Sequence, residues 1–239
     1  MNDNSIPSII LASGSPRRRE LLSLLGLPLE VIPSEADESF PPEWAPERIV
    51  SELALRKAEA VLPLAGKRDA VIVGSDTIVV LDGLVLGKPA DEEESREMLT
   101  ALQGRSHKVY TGLACIRLGD RGVKANLRLE ELGTRGGETI RLGDLGQFSI
   151  LSESPAGTPA VMAGYTESQV TFRPMSGEEI GGYIRTGEPL DKAGSYGIQG
   201  IGSVFIEKIE GDFYSVMGLP LNLLYQMLLR YSISPFNIG

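Results

Sequence analysis

Strand-patterned and helix-patterned segments alternate from the start of this 239-residue chain, and that alternation is what most narrows its fold. PSIILA is a short, continuously apolar run of the buried-strand type. A helix is expected from Pro16 to Leu25, with Leu21, Leu22, Leu24 and Leu25 apolar, and PLEVIPS reads as a second strand. The polar, proline-rich EADESFPPEWAPE leads into a helix from about Pro46 to Leu62, whose Ile49, Leu53, Ala54, Ala58 and Val61 share a face. DAVIVGSDTIVVLDGLVLGKP holds two strands around Asp82-Gly83, a hairpin signal. DEEESREMLTAL is a helix with acids in its first turn, and KVYTGLACIRL is a strand. Residues 119–158 lose periodicity and fill with Gly, Arg and Glu, so they read as an inserted excursion, either a hairpin or disordered. Order resumes with the strand TESQVTFRP, a helix over GEEIGGYIRTG and the glycine-rich KAGSYGIQGIG. A hairpin in SVFIEKIEGDFYSV around Glu210-Gly211 and the helix LPLNLLYQMLLRY complete the chain. The class is α/β with a mixed sheet and flanking helices.

Composition removes several functions. With 23 Lys and Arg against 32 Asp and Glu the net charge is −9, which argues against the broad basic footprint that a nucleic acid polymer requires. A single cysteine, Cys115, permits no intramolecular disulfide and no Cys-rich zinc site; its setting, GLACI, suits a buried structural thiol. His107 is the only histidine, so a multi-histidine metal site is excluded, and no G-x-S-x-G elbow is present. The opening MNDNSIPSIILASGS places acidic and polar residues before a short apolar run, unlike an export signal. No run approaches the roughly 18 apolar residues of a membrane helix. A cytoplasmic location with no membrane partner is the expectation.

Four stretches carry candidate chemistry. In LASGSPRRRELL, Ser15 and Pro16 suit a helix N-cap and first helical residue, which puts Arg17, Arg18 and Arg19 in the first turn. The helix dipole is already positive there, and a cation costs a few tenths to about 1 kcal/mol. Unpaired N–H groups plus forked guanidinium donors make a polyanion site, although arginines pointing into water also fit the pattern. Successive helical residues diverge by about 100°, so the three cannot touch one ligand equally. Asp76 interrupts the apolar strand VIVGSDTIVV, a position that suits either a paired or metal-bound carboxylate or a solvent-facing acid on an edge strand. Lys57, in ALRKAEA, reads by itself as an exposed helical lysine; Lys88, before Pro89, is held extended at a strand end. In EPLDKAGSYGIQG, Gly194, Gly197 and Gly200 allow close backbone approach to a ligand and Lys192 offers a further donor, unless the segment is a plain turn. Together these groups suit a phosphate ester with a divalent cation, Mg²⁺ or Mn²⁺, held by carboxylate oxygens. The residues by themselves lead to a nucleotide or polyphosphate hydrolase or binder.

LASGSPRRRELL, GSDTIV, VLGKPAD, GRSHKVYTG, GEPLDKAGSYGIQG and VMGLPL resemble, in order, the motifs of the Maf family of nucleoside triphosphate pyrophosphatases. The resemblance covers the chain apart from 119–158. It implies an elongated two-lobed α/β fold like that of inosine triphosphate pyrophosphatases, one domain over 1–239 with a central cleft, cutting between the α- and β-phosphates. It implies Asp76 as general base near the metal and Glu38 as a second metal or water ligand, with Glu35 and Asp37 close enough that a slip of register would exchange them. Ser13, Arg18, Lys57 and Lys88 would hold the triphosphate, and Arg17, Thr77 and Gln199 match positions tied to base choice in the branch acting on dTTP and UTP. The SPRR and KAGSYGIQG wording is similar to that branch rather than to the one acting on methylated GTP. A non-hydrolysing nucleotide sensor acting on cell division is the alternative from another class. The excursion leaves room for an altered lobe edge, a cleft cover or a homodimer contact.

Overall fold

The computed structural model describes residues 7–119, 138–155 and 157–237. Among them, nine strands form one mixed sheet in the order β2-β1-β3-β5-β8-β7-β6, with β4 added to β3 and β9 to β8. The parallel part is short: β1 (Ser8–Leu11) lies between β2 (Leu29–Val31) and β3 (Ala70–Leu81). The antiparallel part runs from β3 through β5 (Ser106–Arg117), β8 (Pro159–Phe172) and β7 (Gln147–Glu153) to β6 (Thr139–Arg141). Helices α1 (Pro16–Ser23), α2 (Pro46–Ala65), α3 (Glu92–Leu102), α4 (Gly177–Arg185), α5 (Phe213–Met217) and α6 (Leu221–Leu229) flank it. This is the mixed α/β arrangement that the alternating sequence pattern predicts.

Strand periodicity divides the core into four parts. Successive residues of β3 face opposite ways. Near its start, Val71 and Val73 pack with Leu21 and Leu22 of α1 and with Leu223 and Leu224 of α6, while Ile72 packs with Ala54 and Ala58 of α2. Near its end, Val79 and Leu81 join Leu99 of α3 and Tyr183 of α4, while Ile78 and Val80 join Ile49 and Leu53 of α2. Ser75, Asp76 and Thr77 fall between the two ends, which is why three polar residues interrupt an otherwise apolar strand.

The sheet is also open at that point. On the edge away from β5, β3 pairs with β1 only as far as Val73 and with β4 (Leu84–Leu86) only from Val79. Among the described residues, no strand lies against 74–78 on that edge. Asp76 is therefore paired through β5, opposite Gly112, and sits at a break in the other edge.

Two glycines let α2 come down onto this break. A Cβ on Gly74 would lie 2.1 Å from the Ala54 carbonyl oxygen, and one on Gly112 would lie 1.9 Å from that of Val50. Neither obstacle is a flexible side chain, so any larger residue must push the helix off the sheet. Gly112→Ala is expected to cost about 3 kcal/mol, visible as a lower urea midpoint, and to weaken activity by displacing Lys57 from Asp76.

One expectation needs correction. Glu210-Gly211 is not a hairpin turn: β9 (Ile206–Glu210) pairs with β8, and α5 starts two residues after Gly211, with the Asp212 carboxylate accepting the Tyr214 N–H at 2.9 Å. Within the 119–158 excursion, residues 138–155 take the hairpin alternative, with β6 and β7 pairing to extend the sheet from β8; residues 120–137 and 156 of the same stretch lie outside the described residues. Ser15 and Pro16 are, as expected, the N-cap and first residue of α1, although the Ser15 side chain makes no capping bond. The Asp82-Gly83 turn is as expected, with both φ values positive, 51° and 82°. No helix of the described residues is long and apolar enough to cross a membrane.

Candidate active site

Lys57 is the centre of the polar cluster. It projects from α2 toward the break in β3, and its Nζ donates to Asp76 Oδ1 at 2.6 Å and pairs with Glu38 Oε1 at 2.7 Å. The reading of Lys57 as an exposed helical lysine is wrong, since the residue is only 9% exposed. Asp76 is 7% exposed and so is not the solvent-facing acid of an edge strand. Its other oxygen accepts no hydrogen bond from the described residues, which leaves it free for a water or an ion.

Glu38 arrives from the long loop before α2, and that loop is tied down from several directions. Arg56, next to Lys57, donates to the Ser39 carbonyl at 2.7 Å and is itself paired with the buried Glu52 at 3.2 Å. Asp37 accepts from the backbone N–H and hydroxyl of Ser39, so its carboxylate is committed to the turn, while Glu38 reaches Lys57. Burial pushes the Glu38 carboxyl up, but the Lys57 hydrogen bond and the charges of Lys57, Lys88 and Arg18 outweigh it and hold the group below its ordinary value. Lys88, exposed just after β4, thus stands within electrostatic reach of the same carboxylate.

Arg18 forms the opposite wall. Its Nε donates to the Gly218 carbonyl at 2.8 Å, Nη1 to Ser13 Oγ at 3.4 Å and Nη2 to Thr77 Oγ1 at 3.3 Å. Burial lowers its pKa against the opposing pull of Asp76, yet a guanidinium remains charged at any physiological pH. The hydrogen bonds beneath it run in a fixed sense. Thr111 Oγ1 donates to the Ser215 carbonyl at 2.7 Å, so in its 3.0 Å contact with Thr77 it must accept, and Thr77 then accepts from Arg18. Ser13 Oγ also accepts the Ser15 N–H at 3.2 Å, which fixes the N-cap residue, while the first-turn N–H groups of Arg17 and Arg18 receive no cap from the Ser15 side chain. The first turn of α1 holds no acid.

The remaining candidates are Arg17, Lys192 and Gln199. Arg17 acts electrostatically on Tyr183 and Asp191. Lys192 is engaged internally, its Nζ donating to the Glu188 carbonyl and to Asp191 Oδ1, and its stem lies against Gly197. Gln199 is half-buried in the glycine-rich segment. The structure therefore gathers Ser13, Arg18, Glu38, Lys57, Asp76, Thr77 and Lys88 around one break in the sheet; among the described residues, Arg17, Lys192 and Gln199 make no hydrogen bond or ion pair with them. Thr111, Arg56 and the Gly218 carbonyl are partners that no sequence pattern distinguished. Thr111 and Gly218 fall within GRSHKVYTG and VMGLPL, motif-like segments without an evident ligand; Arg56 has no such trace.

The arrangement offers cations on two sides of a carboxylate with a free oxygen. His107 is not placed to supply the base: it is buried against Phe172 and Tyr196 with its Nε2 2.8 Å from the Tyr196 hydroxyl, and burial lowers its pKa to about 4, which makes the neutral imidazole a weak proton acceptor. Cys115 is buried as well, and burial raises its pKa, which leaves it an inert thiol. Among the described residues no three His, Cys, Asp or Glu converge as metal ligands.

A family model described as Maf-like protein matches residues 8–134 and 148–231. A dTTP/UTP pyrophosphatase of Bacillus cereus (strain AH820) is 41% identical over 225 residues, covering 94% of this chain and 96% of the relative. One of Bacillus thuringiensis subsp. konkukian (strain 97-27) is also 41% identical, and one of Bacillus anthracis 40% identical, with the same coverage of both chains.

Proposed function

Since the chain belongs to the Maf-like protein family, we propose that it is a nucleoside triphosphate pyrophosphatase acting on dTTP and UTP. The products are the nucleoside monophosphate and pyrophosphate. The observation that carries this reading is the Lys57 ammonium held between Asp76 and Glu38 at the break in β3, with the Arg18 guanidinium across from it. A regulator that only binds nucleotide has little use for a carboxylate in that place, because it repels a polyanion. A hydrolase needs one there to take a proton from water.

In this reading the triphosphate enters the break, with Arg18, Ser13, Lys57 and Lys88 donating to its oxygens. Asp76, through its free oxygen, takes one proton from a water as that water attacks the α-phosphorus. The new P–O bond forms as the bond from the α-phosphorus to the bridging oxygen breaks, and the leaving pyrophosphate carries the charge that the lysines and Arg18 stabilise. Arg17 and Gln199 face the base side, and Thr77 holds Arg18.

A divalent cation fits the donor set. Two carboxylates with additional oxygens from substrate phosphates is how Mg²⁺ is commonly bound, and Asp76 and Glu38 already share one cation, the Lys57 ammonium. Asp76 and Glu38 would hold Mg²⁺ or Mn²⁺ together with substrate phosphate oxygens, and such a cation would neutralise charge on the phosphates. A reaction on free nucleotides agrees with a cytoplasmic location.

Incubation of the protein with dTTP or UTP and Mg²⁺ or Mn²⁺ is expected to release pyrophosphate and monophosphate in equal amounts. Orthophosphate as the primary product, or stoichiometric binding with no product over hours, would refute the reading.

A further inference from the structure

Glu188 follows α4 and lies outside the cluster around Asp76, yet its carboxylate organises the glycine-rich segment on both sides of Gln199. Oε1 accepts the Tyr183 hydroxyl at 3.0 Å and the Gly202 N–H at 3.0 Å, and Oε2 accepts the Ile201 N–H at 3.0 Å. Because the Tyr183 hydroxyl proton is used on Glu188, its oxygen is free to accept the Gly197 N–H at 3.1 Å. Residues 197, 201 and 202 are thus tied, directly or through one phenol, to one carboxylate, and Gln199 forms the bend between them.

The glycines of YGIQGIG become intelligible in these terms. Gly200 has φ of +74°, and a Cβ there would stand 2.7 Å from Glu188 Oε2. A Cβ on Gly202 would lie 2.5 Å from the Gly197 carbonyl and 2.6 Å from the Tyr183 hydroxyl. The segment closes this tightly around the carboxylate only without side chains at those positions. Burial pushes the Glu188 carboxyl up, but the two N–H groups, Tyr183 and Lys192 outweigh it, which keeps an anion as the acceptor. The assembly also abuts the site: the Gly194 N–H donates to the carbonyl of Gly87, the residue before Lys88, at 3.0 Å.

We infer that Glu188 is a positioning residue for base selection, fixing the bend that presents Gln199 to the nucleobase. This rests on the reading of the chain as a pyrimidine triphosphate pyrophosphatase with Gln199 on the base side. Glu188 touches neither the phosphates nor the water in that reading, so its loss should affect discrimination between bases and leave phosphate recognition alone.

The test compares Glu188→Ala, Glu188→Gln and Gln199→Ala with the unaltered protein. It measures kcat/KM for dTTP and for dGTP, together with inhibition by inorganic tripolyphosphate. Gln199→Ala and Glu188→Ala are expected to lower the ratio of dTTP to dGTP by about tenfold, chiefly through KM for dTTP, with tripolyphosphate inhibition unchanged. Glu188→Gln, which keeps one carbonyl oxygen as acceptor, is expected to fall between, and it serves as the working variant should Glu188→Ala fail to fold. If Gln199→Ala shifts the ratio and neither Glu188 variant does, the inference is overturned while the underlying reading stands. An equal loss on dTTP, dGTP and tripolyphosphate in the Glu188 variants also overturns it, because that marks general damage. No shift in Gln199→Ala would refute the assignment of Gln199, and the inference with it.

Discussion

Asp76→Asn is expected to lower dTTP turnover by about 10²–10⁴-fold while nucleotide affinity stays the same or tightens. The substitution is nearly isosteric, and the amide oxygen still accepts the hydrogen bond that Lys57 now gives to Asp76 Oδ1 at 2.6 Å. What disappears is the proton-accepting oxygen and one negative charge. In the proposed reaction the first loss removes the base that takes a proton from the attacking water. The second relieves repulsion between the protein and a polyanionic ligand, so binding measured without added Mg²⁺ or Mn²⁺ is not expected to weaken. The two effects separate in the measurement: kcat from pyrophosphate release, and Kd from equilibrium binding of dTTP to the variant. An unchanged kcat would remove Asp76 from the reaction. A matched loss in affinity would mean that Asp76 holds the substrate, by whatever means, rather than activating water.

The same residue shows what was legible in the sequence. An acid inside VIVGSDTIVV is anomalous by hydrophobic patterning, so the position announces itself. Whether it is buried or solvated depends on what covers it, and that is decided by the glycines at 74 and 112, which admit the α2 backbone. A sequence shows two glycines in strands but not that one helix lies across both. Lys57 was hidden for the same reason: on an amphipathic helix a lysine reads as solvated, and only the close approach of α2 turns it toward Asp76. The arginine-led start of α1 was readable because the helix dipole makes three cations there unfavourable. The structure then separates them, sending Arg18 inward to Gly218, Ser13 and Thr77 and leaving Arg19 exposed, as about 100° per residue requires. Thr111 and Arg56 gave no signal, because a threonine in a strand and an arginine in a helix are ordinary in both places. Their roles arise from tertiary pairing, which local patterning does not encode.

Lys57→Met is expected to lower turnover by about 10²–10³-fold and folding stability by about 3 kcal/mol, the latter for a reason specific to this site. The lysine and Asp76 side chains are 11% and 10% exposed, so they form a buried pair, whereas Glu38 at 55% is screened by water and adds little to stability. Replacing the ammonium by an apolar chain of similar length preserves packing and leaves the Asp76 carboxylate without its direct cationic partner. The cost is therefore that of an uncompensated buried anion, and it should be largely recovered by removing the anion as well. The double variant Lys57→Met/Asp76→Asn is accordingly expected to be more stable than Lys57→Met although it carries one more substitution, and to be no more active. Urea midpoints of the two single variants, the double variant and the unaltered protein form a closed thermodynamic cycle that measures this coupling. Additive losses would show that Lys57 and Asp76 do not interact in the folded protein.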